Sequence, residues 1–198
     1  MTEPAVTTSP LARYDTFLDE VGRQCATPAG RAKLRRAVAA ATRPESPTGR
    51  RGTGDALQLL RRLAAERMHP ERKINYLLVA GILAQHPDAG ADAESTAGKP
   101  ATRYTEGNLG AAVGRAVRGG DVTAGRADQT MRLLTRKTPA GLRRALPRVV
   151  HHLDPALSGL DLAVLLSDLN GWPFRAADIS RRWWESYTIA LPTASKEK

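Results

Sequence analysis

The sequence predicts an all-α fold, a compact bundle of about eight or nine helices. Three observations point there. Alanine, leucine and arginine, all strong helix formers, dominate a chain of 198 residues in which hydrophobic residues make up 41%. Apolar residues recur at three- and four-residue spacing through most of the chain. No segment alternates convincingly between apolar and polar positions as a half-buried strand does.

The elements follow in order. Ser9-Pro10 reads as an N-cap with proline at the first helical position, and Leu11, Tyr14, Phe17, Leu18 and Val21 form one apolar face behind it. Thr27-Pro28 repeats the cap signal and opens a helix with Leu34, Val38 and Ala41 inward and Arg31, Lys33, Arg35 and Arg36 outward. Arg43 to Gly54 has the proline, glycine and charge density of a loop. A helix is expected from about Asp55 to Arg67, and another after Pro70 carrying Ile74, Leu77, Leu78, Ile82 and Leu83. Pro87 to Gly107 is rich in small and acidic residues without periodicity, and reads as a long flexible loop. That loop divides the chain into a helical half over 9–88, a linker over 89–107 and a second helical half over 108–190.

In the second half Asn108 caps a helix with Leu109, Val113, Ala116 and Val117, closed at Gly119-Gly120. The next, from about Gly125 to Lys137, turns Ala127, Met131 and Leu134 inward. Thr138-Pro139 starts a helix striped by Leu142, Leu146, Val149, Val150 and Leu153, with a kink or break expected at Pro147. A dense apolar helix over Leu160 to Leu169 is expected to stop at Asn170-Gly171. The last, near Ala176 to Ala190, carries Ile179, Trp183 and Tyr187.

The chemistry-bearing residues do not assemble into a catalytic or metal-binding pattern. Cys25 is alone, so no disulfide framework or thiolate metal site is expected. His69 and His86 sit beside prolines, and the adjacent His151 and His152 point about 100° apart on a helix. None has i,i+4 ligand spacing. A phosphate-binding glycine loop after a strand is missing too. The expectation is a protein with no catalytic residues, no metal and no cofactor. The N-terminal stretch has neither the basic nor the apolar region of a signal peptide, and the longest apolar run, Tyr76 to Leu83, is too short for a membrane span. A soluble, cytoplasmic protein is expected.

Charge carries the functional argument. Thirty Lys and Arg against 20 Asp and Glu give a net +10 and a pI near 10.4, a bias toward polyanions. Between Arg115 and Arg148 nine basic residues face only Asp121 and Asp128, so this stretch holds +7 of the +10. On helical wheels Arg115 and Arg118, Arg132 and Arg136, and Arg144 and Arg148 each oppose the apolar stripe of their own helix. A solvated helix face normally mixes signs; rows of like charge repel unless a polyanion compensates them. These six residues with Lys137 and Arg143 are the candidate nucleic-acid contacts, and Arg35 and Arg36 extend the track. The stretch has no Phe, Tyr or Trp, so contact should be mainly to phosphates, with little sequence preference. Aromatic residues cluster instead at the C-terminal end, where Trp172 and Trp184 are candidates for a subunit interface.

The second half resembles a known family. NLGAAVGRAV, DQTMRLLTRKTPAGLRRALPRVVHHL and LDLAVLLSDLNGWPFRAADISRRWWESY follow, in order, the pattern of the CasB family, the small subunits of the type I-E CRISPR surveillance complex, Cascade. The family's "SLG" helix start corresponds to Asn108-Leu109-Gly110. Its basic "LL…L…LRR" stretch corresponds to Leu133-Leu134 with Leu142-Arg143-Arg144 or Leu146-Pro147-Arg148. Its "L..DL..W" segment corresponds to Asp168-Leu169 with Trp172, and its "RRRWA..YY" ending to Arg181-Arg182-Trp183 with Tyr187. The resemblance covers roughly residues 108–190; Asn108 stands where Ser is usual, and Pro147 enters a helix that is usually continuous. It implies a non-enzymatic helical subunit that stabilises the R-loop. The implied partners are other Cascade subunits, a second copy of itself, crRNA and target DNA, above all the displaced strand. The rival reading, a helix-turn-helix transcription regulator, calls for Asn or Gln at the head of a basic helix, and the basic helices lack them.

Overall fold

The computed structural model describes residues 9–42, 69–86, 100–153 and 159–192. Eight helices are found among them: α1 (Ala12–Cys25), α2 (Pro28–Thr42), α3 (Pro70–Gln85), α4 (Pro100–Glu106), α5 (Leu109–Gly119), α6 (Ala124–Thr135), α7 (Pro139–His152) and α8 (Leu162–Ala190). The described residues contain no strand, and the all-α bundle is the observed architecture.

Capping chemistry sets most helix starts. Thr27 accepts from the Gly30 amide at 3.0 Å, Thr138 from the Gly141 amide at 3.2 Å, and Asp161 from the Ala163 and Val164 amides at 2.9 and 3.1 Å. Pro70 and Pro139 occupy first-turn positions of α3 and α7, where their missing N–H costs nothing. α1 begins two residues later than the Ser9-Pro10 signal suggests; Ser9 accepts from the Leu11 amide at 3.3 Å, and Leu11 is the residue before the helix. α5 ends where Gly120 takes a left-handed turn at φ 82°, with the Asp121 amide donating back to the Ala116 carbonyl at 3.0 Å.

Four expectations need correction. The segment read as loop up to Gly107 contains α4, held through Arg103, which pairs with Asp15 on α1 (2.7 Å) and Asp161 at the start of α8 (2.6 Å). α7 runs through Pro147 without a break, although the ring removes the amide that would have bonded the Arg143 carbonyl. Asn170-Gly171 does not end a helix. α8 continues past both and bends at Arg175 (φ −137°, ψ 31°), two residues after Pro173 inside the helix. Finally, Arg115 leaves the exposed face and the candidate contact Arg143 is buried, as described below. The helix expected over 55–67 and the loop over 43–54 lie outside the described residues, as does the stretch 87–99.

The apolar core is a single cluster fed by both halves of the chain. Tyr14, Phe17 and Val21 of α1 and Leu77, Leu78 and Ile82 of α3 join Leu109, Met131, Leu142, Leu165, Trp172 and Trp183. Two backbone approaches tighten it. At Gly81 a Cβ would stand 2.4 Å from Val38 Cγ2, drawing α3 onto α2. At Gly110 a Cβ would stand 1.8 Å from the Trp183 carbonyl oxygen, and at Gly114 it would stand 2.8 Å from that of Tyr187, so α5 lies directly on α8. Overfilling such a contact costs about 1–3 kcal/mol or more. Gly110→Ala is therefore expected to lower the free energy of chemical unfolding by at least about 2 kcal/mol. Gly22→Ala, on the exposed side of α1 with nothing within 4 Å, should raise it by about 0.5 kcal/mol; equal effects would refute the close approach.

Candidate nucleic-acid interface

The basic residues of the second half divide into two groups. Arg115 is half-buried. Its Nη1 donates to the Glu106 carbonyl at 2.7 Å and its Nη2 to the Gly159 carbonyl at 2.6 Å, tying α4 to the segment before α8. Burial, with the Arg118 charge nearby, lowers its pKa. Arg118 is exposed, but its Nε donates to the Ala190 carbonyl at 2.9 Å, closing the C-terminus of α8 with a cation. Arg143 is 8% exposed and meets Asn75 Oδ1 at 3.5 Å, while Asn75 in turn donates to Asn170 at 2.9 Å. Arg115 and Arg143 thus hold helices together instead of facing solvent. Wheel geometry failed for Arg115 because neighbouring elements cover the side of the helix that faces away from its own apolar stripe, whereas Arg143 lies on the same side of α7 as the buried Leu146 and Val150.

Arg132, Arg136, Lys137, Arg144 and Arg148 are exposed. None has a hydrogen-bond or ion-pair partner for its side chain among the described residues. One of the two acids of this stretch is withdrawn from them, since Asp128 accepts from the Tyr187 hydroxyl at 2.7 Å. Burial and that carboxylate raise the Tyr187 pKa, so the hydroxyl stays a donor.

Tertiary packing adds what the sequence pattern left separate. α2 and α7 enclose an open cleft of about 530 Å³, and Arg35 from the first half stands on its rim with Arg144 and Arg148 from the second. Arg35 is steadied there by its Nε, which donates to the Ala84 carbonyl at 3.3 Å. Arg36 is also exposed but does not line the cleft. On the other side of α7, a groove of about 420 Å³ shares Arg148 and adds Arg126, Thr130 and Leu133 of α6 and His152 of α7. Arg126 was not assigned to a face by the sequence reading; its spacing of four and seven residues from Thr130 and Leu133 was the available signal.

The aromatic interface candidates also need revision. Trp172 is 2% exposed, donates its indole N–H to the Lys137 carbonyl at 3.0 Å and stacks 5.1 Å from Trp183; it is core. Trp184 is half-buried against Tyr187. Among the described residues the exposed large apolar side chains are Phe174 and Ile189, each 81% exposed, and Leu133 at 54%. Among the described residues no group of three or more His, Cys, Asp or Glu could hold a metal, and no helix is long and apolar enough to cross a membrane.

Residues 30–187 match the family described as CRISPR-associated protein Cse2. The chain belongs to that family. Solved structures agree with it. A chain of a CRISPR RNA-guided surveillance complex in a pre-nicking state is 27% identical, with a TM-score of 0.69 over 91% of this chain and 94% of that one. A chain of another CRISPR RNA-guided surveillance complex is 26% identical, with a TM-score of 0.66 over the same shares. The crystal structure of M. ruber CasB, 21% identical, has the same fold, with a TM-score of 0.64 over 89% of this chain and 93% of that one. No curated protein matches the chain.

The motifs that carry the Cse2 resemblance meet in space. Asn108 caps α5 through the Ala111 amide at 3.0 Å, and its amide group donates to the Tyr104 carbonyl and Ser186 Oγ, both at 2.7 Å. A serine could make the cap but not both further bonds. Asp168 accepts from the Trp183 indole at 2.7 Å and pairs with Arg182, so the two motifs of α8 lock its segments across the bend at Arg175. Burial raises the Asp168 carboxyl to about 6, and the Arg182 charge and Trp183 hydrogen bond offset only part of that cost. A carboxyl whose pKa is raised on folding favours the folded state most below its unfolded pKa near 3.8 and gives up that contribution as pH rises through about 6. The Asp168 carboxyl carbon should therefore titrate near pH 6 by NMR. Asp168→Asn should remove the fall in stability between pH 4 and 7 that this group contributes; an unchanged pH slope would refute it.

Proposed function

We propose that the chain is a non-catalytic small subunit of the type I-E CRISPR Cascade complex, binding nucleic acid through its basic surface and stabilising the R-loop in antiviral defence. The single observation that carries this reading is the meeting of Arg35, Arg144 and Arg148 around one cleft whose lining, among the described residues, includes no Asp or Glu. Three guanidinium groups converge there from distant parts of the chain without a carboxylate among the described lining residues, an arrangement that favours a polyanion. Family membership and the likeness to chains of RNA-guided surveillance complexes support the same reading.

The contact set is Arg35, Arg144 and Arg148, with Arg126, Arg132, Arg136 and Lys137 extending the positive surface and Arg36 and Arg118 at its margins. Its partners are the other Cascade subunits, a second copy of this chain, crRNA and target DNA, with the displaced strand as the main ligand of the arginines. Guide pairing supplies sequence specificity in such complexes, so phosphate contacts suffice here. The exposed Phe174 and Ile189 suit a subunit interface better than Trp172 does. The compartment is the cytoplasm, where guide RNA and invading DNA meet.

The test is binding of the purified chain to unrelated single-stranded and duplex DNAs across a salt series. Replacing Arg144 and Arg148 together by Glu should weaken binding and flatten the log–log salt slope by about 1.5, with an unchanged circular dichroism spectrum. Arg143→Met should instead change thermal stability and leave the slope alone. An unaltered slope in the double variant would reject the clamp.

A further inference from the structure

The cleft between α2 and α7 has a floor as well as a charged rim. Val38 and Ala39 of α2 and Pro147 of α7 line it with aliphatic surface. A phosphate held by surface arginines needs no such floor, because its oxygens are satisfied by donors alone. Gln85 and Thr42 complete the wall. The Thr42 hydroxyl donates to the Val38 carbonyl at 2.7 Å, so it offers lone pairs to the cleft, and the Gln85 amide offers both a donor and acceptors. The volume of about 530 Å³ lies in the range of small-molecule pockets.

Pro147 is the independent observation. A proline in a helix interior leaves the carbonyl four residues back without its bond and is strongly disfavoured, yet α7 carries one in its third turn. Local rules are broken most often where function repays the cost. Here the ring is half-buried and faces the cleft, where it supplies a rigid, flat apolar surface between Arg144 and Arg148.

We propose that this cleft is a nucleotide pocket: an unstacked base of a single strand rests on Pro147, Val38 and Ala39 with its edge toward Gln85 and Thr42, while its flanking phosphates meet Arg35, Arg144 and Arg148. This rests on the phosphate-clamp reading and adds that the base, not only the backbone, is held. Aliphatic packing against a base is tolerant of sequence, so the pocket needs no fixed partner base. Duplex DNA presents no free base without unstacking, so the pocket favours single strands over duplex of equal charge.

The experiment compares the full-length protein's affinity for a single-stranded oligonucleotide with that for a fully abasic strand of the same length and charge. The abasic strand is expected to bind about fivefold more weakly with the same salt slope. Ala39→Trp, which fills the floor without altering charge, should reduce affinity for the intact strand to the abasic level and leave duplex binding unchanged. Gln85→Ala, a milder change, should narrow the gap between intact and abasic strands. Equal affinity for intact and abasic strands overturns the pocket. If in that case the Arg144 and Arg148 charge reversals still weaken binding, the phosphate clamp stands alone; if they do not, both readings fall.

Discussion

At Gly110 the backbone of α5 comes so close to the backbone of α8 that the Trp183 carbonyl occupies the space of a side chain, and Gly114 repeats the contact one turn later against Tyr187. Much of the rest is organised around this meeting. It brings Asn108 within reach of Ser186, and Arg118 within reach of the Ala190 carbonyl. Trp183, anchored on α5, also holds Asp168 and stacks on Trp172, which in turn reaches the start of α7 through the Lys137 carbonyl. One close approach therefore connects through α8 to the start of α7, which carries Arg144 and Arg148.

The division of the arginines follows from that packing. Arg115 and Arg143 are consumed as helix ties because they lie where a second element closes over the helix, and their donors find backbone carbonyls or Asn75. Arg144, one residue further along α7, turns out to solvent beside Arg148. A guanidinium can serve either purpose, since its five donors match a carbonyl cage as well as a phosphate. Charge density alone could not separate the two uses. The contacts with α3, α4 and the segment before α8 do.

Several acids have structural work. Asp128 holds Tyr187, and Asp15 and Asp161 hold Arg103. The bonds to Asp15 and Asp161 outweigh the effect of burial and raise the Arg103 pKa, which keeps that tie charged. These carboxylates are spent on structure, and exposed guanidinium groups collect along α7 and α2. A chain built this way presents positive charge without giving up internal ion pairs, and the proline in α7 places an apolar surface among those charges.

The helical class, most helix starts and the buried stripes of α5, α6 and α7 were legible in the sequence, because spacing, propensity and capping act over a few residues and the chain states them locally. The family motifs were legible as strings, though not their role as one interlocking contact between α5 and α8. Helix α4 within an apparent loop, the passage of α7 through Pro147 and the bend of α8 at Arg175 were not legible, since each depends on partners distant in the chain that override local preference. The same holds for the binding surface. Residue type and helical phase nominate arginines, but which of them reach solvent, and that Arg35 joins Arg144 and Arg148 at one cleft, is decided only when α2 and α7 are brought together by the shared core.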